Sequence, residues 1–252
     1  ILRENNMSFK KRSLVPSLAI PVERLRFARD LSLLWFRIDQ LVAVDEKKFK
    51  GDEALKRTAG RGYAPIGERI PNSVSAGINR IRAVLPPRTE VIGAITYMPG
   101  SPRILQDGRI GDVGLMTFKL REPTLDIPAD ALEWLENSLC PMLNPYPGPR
   151  SIVQFDNMKS HRRVEGRIRR LINARGAILI WNPPQSPDFN IIEKMWDVSL
   201  DMASRRMIDL LIGRLGVSRA FAIGDFIHVL SHARLSLHAF EDLITKLNKP
   251  QF

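Results

Sequence analysis

Three acidic side chains stand where a folded chain could use them together. Asp45 follows the apolar run Leu41-Val42-Ala43-Val44, Asp156 follows Ser151 to Phe155, and Glu193 lies near the start of a segment with helical periodicity, with 36 residues between it and Asp156. Apolar, β-branched runs of this length suit buried strands. Open α/β sheets gather ligands beyond the carboxyl ends of their strands. If the two strands are adjacent and parallel, about 4.8 Å apart, their acids converge. Carboxylates that close raise one another's pKa, and hard divalent cations between them relieve the repulsion. Two such cations, about 3.5 to 4 Å apart, clamp the attacking and leaving oxygens of a phosphodiester.

The rest of the composition agrees with a polyanionic substrate. The 252 residues include 38 Lys+Arg against 27 Asp+Glu, a formal charge of +11, and the sequence pI is about 10.2. With 44% hydrophobic and 26% charged residues the chain can bury a core and is neither disordered nor collagen-like. No apolar run reaches the roughly 18 to 20 residues of a membrane span. A single cysteine, Cys140, excludes an internal disulfide and a Cys-based zinc site and fits a reducing compartment. His228 and His232 have the i, i+4 spacing of a helix-borne metal pair. They lack a glutamate between them and any Cys partner, so two histidines on a helix face are the better account.

The elements that must carry the acids follow from periodicity and punctuation. A helix is predicted over 22–37, with Leu25, Ala28, Leu31, Trp35 and Ile38 as its apolar positions, then the strand 41–44 ending at Asp45. Residues 51–87 hold nine Gly and Pro, too many for long regular elements. A strand over 91–97, a hairpin within 108–120 and a helix over 129–139 come next. The Pro-rich stretch PMLNPYPGPR, residues 141–150, reads as a connector within one domain. It leads into the strand 151–155, a helix over 159–174 with Val164, Ile168 and Leu171 inward, the strand 177–181, and a helix from about Asn190. This order predicts a mixed sheet with helices packed on it. The chain starts at Ile1 without a leader pattern, and ILRENNMSFKKRSLVP reads as the tail of an upstream domain.

Each acid also has a purely structural reading. Asp45 with Glu46 and Lys47 forms a charged cluster that can simply end a strand. Asn190 with Glu193 three residues on makes a capping box, and Asp188 can cap the same helix.

The words around the acids separate these readings. DNMKSH, residues 156–161, and PPQSPDFNIIEKMW, residues 183–196, resemble the signature of mariner-type DDE transposases and their insertion-sequence relatives. There an Asp-Asn pair with a nearby His is followed by Pro-Pro-Tyr-Ser-Pro-Asp-Leu-Asn-Pro-Ile-Glu and a Trp. GRGYAPIGER, residues 60–69, is similar to the basic Gly-Tyr/Trp-x-Pro-x-Gly segment that follows the first acid in that family. The resemblance spans about residues 20–200. It implies an α/β, RNase H-like mixed β-sheet flanked by helices, with Asp45, Asp156 and Glu193 holding two Mg²⁺ or Mn²⁺ ions. Asn157, His161 and Asn190 would support the acids or face DNA. The implied reaction is cleavage of a transposon-end phosphodiester by water, then attack of the freed 3′-hydroxyl on target DNA. Gln185, Phe189 and Ile191 depart from the usual aromatic, Leu and Pro. Loss of Pro at 191 should loosen the helix start.

The same reading divides the chain into a remnant of a missing DNA-binding domain (1–20), the DDE catalytic domain (21–203) and a C-terminal helical extension (204–252). It implies transposon ends and target DNA as partners and a homodimer, with no membrane and no small-molecule cofactor. The site of action is the nucleus in a eukaryote, or the cytoplasm and nucleoid in a bacterium. Between Lys159 and Arg175 there are seven Lys/Arg against one acid, Glu165. Beside a phosphodiester-cutting site, Lys159, Arg162, Arg163, Arg167 and Arg170 read as phosphate contacts, and Arg61 and Arg69 as contacts to a second DNA end or a partner subunit. Trp181 and Trp196 read as core. Two rivals remain: a transposase descendant that binds DNA without cutting it, and a cellular RNase H-like nuclease.

Overall fold

The computed structural model describes residues 20–34, 37–49, 89–101, 103–105, 110–121, 127–211, 221–236 and 238. Residues 51–87, with Arg61 and Arg69, lie outside this set, as do 1–19 and much of the C-terminal segment.

Among the described residues seven strands form one sheet. They are β1 (Leu41–Phe49), β2 (Thr89–Tyr97), β3 (Arg103–Ile104), β4 (Ile110–Arg121), β5 (Ile152–Phe155), β6 (Ile178–Trp181) and β7 (Arg234–Ser236), in the order β3-β4-β2-β1-β5-β6 with β7 also on β4. β1, β2 and β4 are antiparallel neighbours, whereas β1, β5 and β6 run parallel. β5, the first five residues of β1 and all of β2 except its two end residues are buried, so the centre of the sheet reads as near-continuous apolar runs, as expected where both faces are covered. The parallel ladder of β1 and β5 runs from Leu41↔Ile152 to Val44↔Phe155. Asp45 and Asp156 are therefore the next residue on each strand.

Helices cover both faces. On one side α1 (Pro21–Leu33), α5 (Ile192–Leu211) and α6 (Ile223–His232) pack Phe27, Leu31, Ile192, Met195, Trp196 and Phe226 onto Leu41, Ala43, Phe49 and Val91. On the other, α2 (Ile127–Trp134), with the wide π-type turn 135–139 that continues it, and α4 (Glu165–Asn173) pack Trp134, Leu135, Ile168 and Ile172 onto Val42, Val44, Ile92 and Val153. α3 (Lys159–Arg163) leads into α4. The alternation of Leu41/Ala43 and Val42/Val44 between the two cores is the period of 2 expected of a strand. The connector 141–150 is docked to its neighbours: Tyr146 donates its hydroxyl to the Leu34 carbonyl at 2.6 Å, and Gln40 donates to the Pro147 carbonyl at 2.6 Å.

Four expectations about elements need correction. No hairpin lies within 108–120, because Ile110–Arg121 is the single strand β4, paired along its length with β2 and at its start with β3 and β7. The first strand does not end at Asp45 but continues to Phe49, because Asp45 to Phe49 pair with Gly93 to Thr89 of β2. The helix expected over 159–174 breaks at Val164, which has φ −112° and ψ 15°. α1 turns a different face inward: Arg24, Phe27 and Leu31 are buried, whereas Leu25 is 49% exposed. The rotation follows from Arg24, whose guanidinium forks onto Asp188 at 2.8 and 2.9 Å and lies 3.9 Å over the Phe189 ring.

Candidate active site

Asp45, Asp156 and Glu193 surround one cavity of about 300 Å³, with Asn157, Asn182, Gln185, Ser186 and Asn190 in the same wall. Each acid arrives by a different element. β1 and β5 bring the two aspartates side by side, and the first turn of α5 brings Glu193 across the mouth. The loop between β6 and α5 forms the far wall. It is held by buried Gln154, which donates to the side-chain oxygen of Asn182 and, at 2.9 Å, to the Phe189 carbonyl. Gln185, at φ 52°, makes a left-handed turn in that loop, a conformation uncommon outside glycine.

The capping readings do not describe this loop. Asp188 pairs with Arg24. Asn190 lends its backbone carbonyl to the Glu193 amide at 3.1 Å, but its side chain turns away from the helix, with Nδ2 3.5 Å from the Val44 carbonyl and Oδ1 buried without a partner. Glu193 reaches Lys47 Nζ at 3.3 Å. Ile191, in place of the usual Pro, is 2% exposed and belongs to the core.

Asp45 is 6% exposed. Burial, and then the charges of Glu193 and Asp156, push its pKa up to about 8, against a bond donated by the Trp196 indole N–H. That indole is fully buried and lies 2.9 Å from Oδ2. Room for it comes from Gly93, the cross-strand partner of Asp45, where a Cβ would stand 2.9 Å from Cη2 of Trp196. Trp196 is thus core, as its spacing suggests, and also the donor that fixes an acid. Its dual role was not visible in periodicity.

His161 is 1% exposed and sits between two acids, with Nδ1 2.5 Å from Asp156 Oδ1 and Nε2 3.2 Å from Glu46 Oε1. Burial is the largest single influence and pushes its pKa down. The bonds to Asp156 and Glu46, with their charges, outweigh it and hold the imidazole up at about 9. Glu46 is the functional neighbour that the sequence reading left in a strand-ending charge cluster.

The basic segment divides in two. Arg162 and Arg169 pair with Glu165 at 2.9 and 2.7 Å, Arg162 also lies 4.8 Å over Trp181, and Arg170 donates to the Gly166 carbonyl at 3.2 Å. Lys159, Arg163 and Arg167 are exposed and make no side-chain ion pair among the described residues. His228 and His232 stack at 3.9 Å on exposed α6, away from the acids.

The donor set is all oxygen, suited to a hard divalent cation, and the orphaned Oδ1 of Asn190 adds an acceptor in the same wall. In their present orientations no three acids, His or Cys among the described residues stand close enough to grip one ion. Trp196, His161 and Lys47 hold Asp45, Asp156 and Glu193 respectively. The residues therefore fit the ions by type and by shared cavity, with one oxygen of Glu193 paired to Lys47.

Residues 127–209 match the family model described as DDE superfamily endonuclease. The match covers about a third of the chain and makes this part similar to DDE endonuclease domains. It includes Asp156 and Glu193 but stops short of Asp45, which only the fold brings to the domain's other acids. Among solved structures the chain is similar to the Mos1 transposase paired-end complex with left transposon end, at 16% identity and TM-score 0.53, covering 99% of this chain and 66% of that one. It is similar too to the Mos1 mariner paired end complex with Mn (14%, TM-score 0.52, 99% and 66%) and to a pre-cleavage Mos1 transpososome (15%, TM-score 0.50, 98% and 69%). The chain thus spans 66% of the length of the first of these. At this identity the likeness shows a shared RNase H-like fold, the mixed sheet flanked by helices that the sequence led us to expect. No curated protein matches the sequence.

Proposed function

We propose that the chain is the catalytic region of a mariner-type DNA transposase. The observation that carries the reading is the convergence of Asp45, Asp156 and Glu193 on one cavity, two of them from adjacent parallel strands, in a chain with a region similar to DDE endonuclease domains. Asp45, Asp156 and Glu193 would hold two Mg²⁺ or Mn²⁺ ions. When bound, these supply Lewis acidity to the scissile phosphate and to its attacking and leaving oxygens.

The chain's own residues do the positioning. Trp196 and His161 each hold one oxygen of an aspartate, and Lys47 holds one oxygen of Glu193. Asn157 and Asn190 line the same wall. Lys159, Arg163 and Arg167, with the other cations of α3 and α4, offer a positive face beside the cavity for the DNA backbone. On this reading the partners are transposon ends and target DNA, and the chain acts as a homodimer in a nucleus or a bacterial nucleoid. Residues 21–203 form the catalytic domain, and beyond 203 the chain continues through the end of α5 and α6 to β7, which pairs with β4 of the same sheet.

The test is Mg²⁺- or Mn²⁺-dependent nicking and strand transfer on a pre-cut DNA end. Activity lost by about 10²-fold or more in both Asp156→Asn and Glu193→Gln supports the reading. The second reading is a descendant that binds DNA without cutting it, and the tying of all three acids to protein donors favours it. Salt-sensitive DNA binding with no cleavage under either metal would select it.

A further inference from the structure

Glu46 and Asp45 are consecutive on β1 and point to opposite faces of the sheet. Behind the acids, on the Glu46 face, lies a chain of buried charge. Asp156 Oδ1 meets His161 Nδ1, and His161 Nε2 meets Glu46 Oε1. The same Glu46 oxygen takes Arg121 Nη1 at 2.6 Å. Arg121 Nε lies 2.6 Å from Asp130 Oδ2 as an ion pair off the line of a hydrogen bond, and Asp130 Oδ1 takes Lys119 Nζ at 2.6 Å. The members come from β1, β4, α2 and α3, so no single element creates the chain. His161 and Arg121 are 1% exposed by side chain, and Glu46 and Asp130 8%.

Burying this many charges is costly, and apolar residues of similar volume commonly serve stability as well or better. Stability alone therefore gives little reason for the arrangement. What it does fix is the ring of His161, gripped at both nitrogens, and through that ring one oxygen of Asp156. Carboxylates and imidazoles next to metal ligands act in this way elsewhere, and removing one typically costs 10- to 100-fold in metal affinity or activity.

We propose that Glu46 and Arg121 are positioning residues: through His161 they set the carboxylate of Asp156 for the divalent cations of the cavity. The proposal rests on the metal-centre reading above. Neither residue faces the cavity. Two strands, β2 and β1, separate the strand of Arg121 from β5, whose end carries Asp156.

The experiment uses the whole chain with Glu46→Gln, Arg121→Lys and Asp156→Asn. Arg121→Lys keeps the charge and alters only the fork, so it tests the chain even if Glu46→Gln does not fold. Two readouts are taken. In the metal-free protein, NMR of the His161 ring reports its two N–H groups. Titration with Mn²⁺ alone, followed by loss of the free-ion EPR signal, reports affinity.

The expected result is a shifted His161 ring signal in Glu46→Gln and Arg121→Lys, with Mn²⁺ binding weakened about 10-fold or more, and binding lost in Asp156→Asn. Unchanged ring signals and Mn²⁺ affinity in folded Glu46→Gln or Arg121→Lys, beside lost binding in Asp156→Asn, would overturn the positioning role and leave the metal centre standing. Unchanged Mn²⁺ binding in Asp156→Asn would instead sink the metal-centre reading, and the positioning role with it.

Discussion

Asp45 and Glu46 are neighbours in the chain, both nearly excluded from water, and they are treated in opposite ways. Glu46, facing the back of the sheet, receives a guanidinium at 2.6 Å and an imidazole at 3.2 Å. Asp45, facing the cavity, receives one neutral indole N–H and looks toward two more carboxylates. A buried acid is ordinarily paired or neutralised. The fold gives Glu46 cationic partners and Asp45 only the neutral indole, so Asp45 is the acid left for a cation from solution. The difference between the faces is the strongest physical argument that the cavity is a functional site and the rear network its support.

The most damaging way to disturb this contrast is to remove the cation from the rear. Arg121→Met leaves Glu46 and Asp130 buried without their guanidinium, and breaking a buried pair from one side costs about 3 to 5 kcal/mol. Denaturant unfolding should show the loss, and a cost below about 1 kcal/mol would mean that the rear charges are reached by water. Trp196→Phe acts on the front. It keeps a smaller aromatic ring, without the Cη2 edge that meets Gly93, and takes the donor from Asp45, where a bond to a charged group contributes about 1.5 to 3 kcal/mol. The loss should be largest at high pH, where Asp45 is ionised, and a pH-independent cost would assign Trp196 to packing alone.

The pH dependence sharpens the same contrast with its sign. Asp45 keeps its proton to about pH 8 in the folded protein, whereas a free aspartate ionises near pH 4. Between these values the folded state binds more protons than the unfolded, so this group's contribution is full below about pH 4 and falls as pH rises toward 8. His161, with its folded pKa raised to about 9 from about 6.5, adds a fall of the same sign above pH 6.5. Each proton contributes a slope of at most about 1.4 kcal/mol per pH unit. Without divalent metal, thermal stability should therefore decline from pH 5 to pH 8, and Asp45→Asn should flatten the decline. Mn²⁺ should raise the melting temperature more at pH 8 than at pH 5; an equal gain at both would place the ion away from Asp45.

How far the sequence discloses this site depends on the range of each interaction. The acids at the ends of apolar runs are local features, so Asp45 and Asp156 could be read from their own strands, and the SPDFNIIE string marked Glu193. The rear network is not local. Glu46 and Arg121 are 75 residues apart, Trp196 and Asp45 151, and Arg24 and Asp188 164. Periodicity cannot express such pairs. For the same reason the charged run Asp45-Glu46-Lys47 looked like the end of a strand. The strand continues because Glu46 has a buried partner, Lys47 reaches Glu193, and β2 supplies the ladder. Likewise Asp188 suits a helix cap by type and position, but a bidentate guanidinium from α1 outcompetes a neighbouring backbone amide. The break at Val164 leaves no sequence signal that we can name, since neither Gly nor Pro stands at that position.

The smallest expected effect on stability belongs to the one region that neither face of the sheet explains. Lys159, Arg163 and Arg167 are exposed cations with no carboxylate partner among the described residues, in contrast to Arg162 and Arg169, which share Glu165. Surface changes of this kind usually alter stability by no more than about 0.5 kcal/mol, so Arg163→Ala and Arg167→Ala should unfold at the same denaturant concentration as the parent. If the face meets a DNA backbone, each should nevertheless weaken binding to any duplex sequence and lower the slope of log K against log salt by about 1. Arg169→Ala is the internal control. Its guanidinium is already committed to Glu165, which keeps Arg162 and the Trp181 indole as partners, so its loss should weaken DNA binding less than the loss of Arg163 or Arg167 while helix stability falls by only about 0.3 to 0.5 kcal/mol. An unchanged salt slope in all three variants would make the face a solvated helix surface and move the search for the DNA path to the other side of the cavity.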